Sequence, residues 1–182
     1  DHTWEYGARG NLTTNLDTQK LGLWPGGFLT LEVEWNFGND VNGNTGALFA
    51  IDANQIFPVP NGDNFDVPQL SFAQFLSPYA GVYVGKLDTM SSDANVFAHG
   101  KGDAQFFNLA FNINPVTLSA PYSALGTGLI VLPTKDPDAL IVSAGVMQAA
   151  GSASTTGFDE FATDKLLFSG EGRVRTDFWG LT

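Results

Sequence analysis

Residues 28–37 read Phe-Leu-Thr-Leu-Glu-Val-Glu-Trp-Asn-Phe, and this stretch limits the fold more than any other. Leu29, Leu31, Val33, Trp35 and Phe37 share one parity; Thr30, Glu32, Glu34 and Asn36 share the other. Side chains alternate across a strand with period two, so one face is continuously apolar and the other carries two carboxylates. A run of about ten residues is also what a tilted strand needs to cross a bilayer. An apolar outer face, a charged inner face and aromatic ends fit a strand of a transmembrane β-barrel. The same pattern fits a soluble antiparallel sheet with one dry and one wet face.

Bulk properties narrow the choice. The 182 residues suffice for one domain. No window approaches the ~18 consecutive apolar residues of a membrane helix, so any membrane crossing is made by strands. Fifteen Phe and 21 Gly suit a barrel, which uses aromatic girdles and glycine where strands crowd or bend. The chain has no cysteine, which excludes disulfides and thiolate chemistry. A net charge of -11 argues against nucleic acid, whose binding rests on Lys and Arg neutralising phosphates. The acidic groups cluster in loop-like stretches, as solubilising charge or as a cation-bridged outer surface. Neither end of the sequence carries a start or stop feature, and both read as cut from a longer chain.

Along the chain, residues 4–15 repeat the alternation: Trp4, Tyr6, Ala8 and Leu12 on one face, Glu5, Arg9, Asn11 and Thr13 on the other. A connection with the breaker cluster Trp24-Pro25-Gly26-Gly27 leads into the 28–37 strand. Residues 38–66, dense in Asn, Asp, Gly and Pro, read as a large surface loop. Strands follow at 69–76 and 81–87, where weaker alternation leaves the facing of Lys86 open. Residues 88–122 form a second long connection, whose apolar middle at 104–114 suits a strand or a short helix. Strands at 123–132 and 139–148 flank a short turn, and a third long loop, 149–164, precedes a strand at 165–175. That last strand sets Ser169, Glu171 and Arg173 against Leu166, Phe168 and Val174. Connections thus alternate short and long, as in barrels with short periplasmic turns and long extracellular loops. A soluble sandwich has no reason to gather its long loops at one end. The first strand then runs towards the short-turn side, so a strand before Asp1 is expected, and seven strands fall short of an even count.

Several short motifs carry a resemblance. Leu21-Gly22-Leu23-Trp24-Pro25-Gly26-Gly27, after Leu16-Asp17, resembles the first turn of the carbohydrate-selective porin family (OprB-like). Gly85-Lys86-Leu87-Asp88-Thr89, Phe106-Phe107-Asn108, Asn114-Pro115-Val116 and Gly157-Phe158-Asp159 follow in the family's order. The resemblance implies an all-β antiparallel transmembrane β-barrel of the bacterial outer membrane, sixteen-stranded, with about seven strands in this portion. Residues 1–182 are then a single barrel domain, incomplete at both ends. It also implies passive diffusion of sugars and similar small solutes, with outer-membrane lipid as the other partner. Self-association into a homo-oligomer is left open. Inward loops with Arg belong to the family pattern, whereas here Arg9, Arg173 and Arg175 lie in strand-like stretches.

In a wide barrel the inward side chains decide which solutes pass. Candidate lining residues are Glu5, Arg9, Glu32, Glu34, Glu171 and Arg173; their plain alternative is cross-strand pairing that only stabilises the wall. Arg9 is expected to pair with an inward Glu of the next strand. Asp93, Asn95, His99 and Lys101 are candidates for a constriction, with a solvated outer loop as the alternative. The reason is that the 88–122 connection is expected to fold inward, burying its Phe-rich centre. A membrane strand at 105–114 would use the same residues. Residues 40–44 and 61–66 offer hard oxygens but lack the full spaced ligand set of a Ca²⁺ loop, so no metal is assigned. No nucleophile motif is present, and neither an enzyme nor a cofactor is called for. A soluble β-sandwich carbohydrate-binding module is the alternative function.

Overall fold

The alternating runs become seven strands: β1 (Gly7–Asp17), β2 (Gly27–Gly38), β3 (Phe65–Ser77), β4 (Ala80–Asp88), β5 (Ser123–Val131), β6 (Leu140–Gln148) and β7 (Leu166–Val174). The structure is a computed structural model that describes residues 4–57, 65–90, 100–103, 106–112, 120–136, 139–158 and 165–175. All seven strands lie in one antiparallel sheet in sequence order, each hydrogen-bonded to the next. The sheet does not close, and β1 and β7 are its two edges. A sandwich would need a second sheet; the described residues form only this one.

Register follows the alternation. Leu12 stands opposite Val33, and Leu31 opposite Leu70. Val82 stands opposite Leu129, and Val146 opposite Phe168. This apolar face has no layer packed on it among the described residues: Leu129 is 56% and Phe168 76% exposed. A soluble sheet would cover such a face. The opposite face carries Arg9, Asn11 and Thr13 of β1, Glu32, Glu34 and Asn36 of β2, and Ser71 of β3. It continues through Ser143 of β6 to Ser169, Glu171 and Arg173 of β7. β3 starts at Phe65, earlier than the pattern suggests, because a register shift between Glu32 and Glu34 extends the pairing to Asp66 and Phe65. Phe65 then stacks on Trp35.

The facing of Lys86 follows from its contacts: Nζ donates to the Ala153 carbonyl at 2.8 Å, so the side chain is buried under the 149–165 connection, and Asp88 is buried as well while Val84 is exposed. Gly85 between them has a φ of 138°, open to glycine but strained for other residues.

Connections alternate as expected, with the short ones at 18–26, 78–79 and 132–139 and the long ones at 39–64, 89–122 and 149–165. In the first short turn Trp24 Nε1 donates to Gln74 Oε1 at 2.7 Å, which ties the Trp-Pro-Gly-Gly segment to β3. The apolar cluster among the described residues lies on the long connections instead of the sheet. It joins Phe57, Tyr122 and Ala153, with Ile56, Met90 and Leu109 packed against them. Each of the three long connections contributes to it, so burial at about 1.5–3 kcal/mol per large side chain holds them together.

Candidate functional site at the polar face

The 89–122 connection is fastened to the polar face by one lysine. Gly100, Lys101 and Gly102 all have positive φ (82°, 50° and 93°), a tight left-handed coil. Each flanking glycine adopts that conformation without penalty, and Lys101 bears a cost of about 1–2 kcal/mol. The coil aims the Lys101 side chain into the wall, where it is fully buried. Its Nζ lies 2.5 Å from Glu34 Oε1, 2.5 Å from Asp88 Oδ2 and 3.3 Å from Glu32 Oε1. The ammonium also faces the rings of Tyr122 (5.0 Å) and Phe57 (5.7 Å), an added cation–π attraction.

Three carboxylates surround one ammonium, and hydrogen bonds supplement it. The Tyr122 hydroxyl donates to Glu34 Oε2, Asn11 Nδ2 to Glu32 Oε1, and the Met90 N–H to Asp88 Oδ1. Burial alone would lower the Lys101 pKa, but Asp88, Glu34 and Glu32 outweigh it and hold the group above the ordinary lysine value. Burial, with the charges of Glu34 and Asp88, pushes the Tyr122 phenol far above its ordinary range. Lys101 stays charged and Tyr122 neutral throughout the physiological range.

A second contact lies beside the first. Arg9 pairs with Asp103 and donates through Nη1 to the Lys101 carbonyl at 3.2 Å. The 39–64 connection adds Asn54 Nδ2 donating to the Gly102 carbonyl at 3.0 Å, and the Ala53 N–H donating to Phe107 O at 2.7 Å. Residues 100–103 thus form a strap seated across β1, β2 and β4.

Several expectations change on this geometry. Arg9 stands opposite Asn36 and pairs with the strap, not with a Glu of β2, because Lys101 engages both Glu32 and Glu34. Lys101, expected to point into the lumen, points into the wall, and Glu32 and Glu34 lie beneath it. Glu5 precedes β1 and accepts from Asn44 Nδ2 of the 39–64 connection at 3.2 Å. The Phe-rich centre of the connection makes the short helix α1 (Leu109–Asn112), and it is Leu109 that joins the apolar cluster. Phe107 and Phe111 are exposed instead of buried. Glu171 and Arg173 lie on the polar face of the edge strand, away from the strap. Asp93, Asn95 and His99 fall outside the described residues, as do residues 61–64 of one candidate Ca²⁺ loop. In the other, Asp40 Oδ1 is engaged by the Asn42 N–H, and the Asn42 side chain bonds the backbone of Asp52.

Among the described residues, oxygens of Glu32, Glu34 and Asp88 lie within 4.8 Å of one another, a spacing open to a cation, and the Lys101 ammonium occupies that place. Asp88 and Tyr122 were missed as partners because neither belongs to an alternating run. The signal that was available is Gly-Lys-Gly at 100–102, a lone lysine between two residues free to turn left-handed.

The sequence model described as "Carbohydrate-selective porin, OprB family" matches residues 1–181. No curated protein and no solved structure matches the chain significantly. The family match runs through every strand and every long connection, including the strap, and the chain belongs to the carbohydrate-selective porin (OprB) family.

Proposed function

We propose that the chain forms part of the wall of a water-filled channel in the bacterial outer membrane, through which sugars and other small solutes diffuse passively. The observation that carries this reading is Lys101, buried on the face opposite the apolar one. A connection that seats itself on the polar face narrows whatever space that face encloses. The open edges of β1 and β7 support a larger barrel, completed by further strands, with lipid against the apolar face. Within this reading residues 1–182 are one part of a single barrel domain. Glu171 and Arg173 line the lumen, and Asp103 with Arg9 marks the rim of the strap. The fold and family point to a transport channel and not to an enzyme.

Conductance in planar bilayers tests the reading, with and without residues 92–103. The expected result is larger single-channel conductance and weaker discrimination among sugars after deletion. Unchanged conductance in a correctly inserted deletion protein would place the strap outside the permeation path.

A further inference from the structure

Four residues stand in one row across β4 to β7. Tyr83 is opposite Gly128, Gly128 opposite Gly145, and Gly145 opposite Ser169. The phenol runs along that row. A Cβ on Gly128 would overlap the Tyr83 hydroxyl and the ring carbon bearing it, and a Cβ on Gly145 would overlap the hydroxyl as well. The hydroxyl end of the side chain therefore lies over the bare backbone of two neighbouring strands, and the residue is half-buried there. Its tip reaches towards β7. Ser169 Oγ would stand 3.4 Å from that same Cβ of Gly145, and Glu171 follows two residues further along β7 on the same face. Among the described residues no protein group hydrogen-bonds the Tyr83 hydroxyl.

Packing alone does not require this choice. Any long apolar side chain would cover two glycines, and none would bring an unpartnered hydroxyl beside a serine and a carboxylate on a face turned to water. A pyranose has a face of C–H groups and a rim of hydroxyls, so it needs an apolar platform edged by donors and acceptors. We propose that Tyr83 is a stacking platform for the C–H face of a pyranose moving along this wall. The Tyr83 hydroxyl, Ser169 and Glu171 would then bind the sugar's hydroxyls at its edge. The proposal rests on the channel reading above and names the residues of this chain that would favour a cyclic sugar.

The test uses the full-length protein in planar bilayers, with glucose and the open-chain polyol sorbitol as probes of similar size. Binding is read from the concentration-dependent reduction of ion current. Wild type is expected to bind glucose more tightly than sorbitol. Tyr83→Leu keeps bulk over the glycines but removes the ring face; it should weaken glucose binding by roughly threefold to tenfold. Sorbitol binding should fall by less than glucose binding in that variant. Tyr83→Phe should retain most of the glucose preference. Glucose binding by Tyr83→Leu equal to wild type would reduce Tyr83 to a packing element. A wild type that conducts ions without preferring glucose would overturn the platform and leave the channel reading standing. A wild type that forms no channel would overturn both.

Discussion

Lys101 Nζ lies 2.5 Å from Asp88 Oδ2, so the residue that ends β4 is paired with one in the connection that follows it. The pair is fully buried, and the same ammonium bridges to Glu34 on β2. Two strands that are not neighbours in the sheet are thereby joined through a loop residue. One loop residue thus fixes the strap to two strands of the wall at once.

Lys101→Met should be strongly destabilising to the seated strap. Removing one member of a buried ion group leaves uncompensated charge, at a cost of about 3–5 kcal/mol. Limited proteolysis within residues 89–122 of the detergent-solubilised protein should accelerate sharply. Wild-type protease resistance in Lys101→Met would show that the apolar cluster of Phe57, Tyr122 and Ala153 holds the connection by itself.

The second ion pair predicts a different magnitude. Asp103 is partly exposed, with a side chain 41% accessible, so solvent reaches its end of the pair, although the Arg9 side chain is buried. Asp103→Asn should cost only about 0–1 kcal/mol, whereas Asp88→Asn removes a buried partner and should cost several times more. Urea midpoints for the two variants rank them directly. Equal losses would mean that burial does not set the strength of these pairs.

The latch also has a pH dependence of known sign. Lys101 and Tyr122 both have folded pKa values raised above their ordinary values of 10.5 and 10.0. A raised value gives a contribution that is complete below the ordinary value and is lost as pH rises through the folded one. The strap should therefore stay seated from neutral pH up to about pH 10 and loosen only in stronger alkali. Channel conductance titrated upward should rise above that point in wild type, and the rise should be absent in Lys101→Met. An increase beginning near neutrality would contradict the assignment.

The variant without the lysine gives a further test of the cluster. Oxygens of Glu32, Glu34 and Asp88 already lie within 4.8 Å of one another. In Lys101→Ala they lack a countercharge, and a calcium ion takes oxygen ligands of this kind. Calcium should raise the thermal midpoint of Lys101→Ala by about 2–4 °C for each kcal/mol recovered, and should leave wild type unmoved. No calcium response in a folded variant would mean that the carboxylates relax apart.

Strand faces were legible in the sequence because alternation is local: Glu32 and Leu31 are adjacent, and the pleat alone separates them. The order of short and long connections was legible for the same reason. The latch was not. Lys101 reaches Glu32 across 69 residues, Tyr122 reaches Glu34 across 88, and no periodicity records such a pairing. The expected pairing of Arg9 with a Glu of β2 failed for the same reason, since its partner Asp103 belongs to a loop whose path the strand pattern does not encode. Tyr83 escaped notice because the two glycines beneath it lie on β5 and β6, each unremarkable by itself.

The facing of the first strands is best checked at positions that are exposed. Asn11 and Thr13 are exposed on the polar face, and Leu12 between them is exposed on the apolar face. Glu32 and Glu34 share the polar face but lie under Lys101, so cysteines there would report the strap as much as the facing. Single cysteines at 11 and 13 should therefore react readily with a membrane-impermeant thiol reagent in reconstituted vesicles. Cysteines at 12 and 33 should stay protected by lipid, and cysteines at 32 and 34 should react slowly until residues 92–103 are removed. Protection at 11 and 13 with reaction at 12 would reverse the two faces of the sheet. Fast reaction at 32 and 34 in the intact protein would instead leave the faces as they are and show that the strap does not cover them.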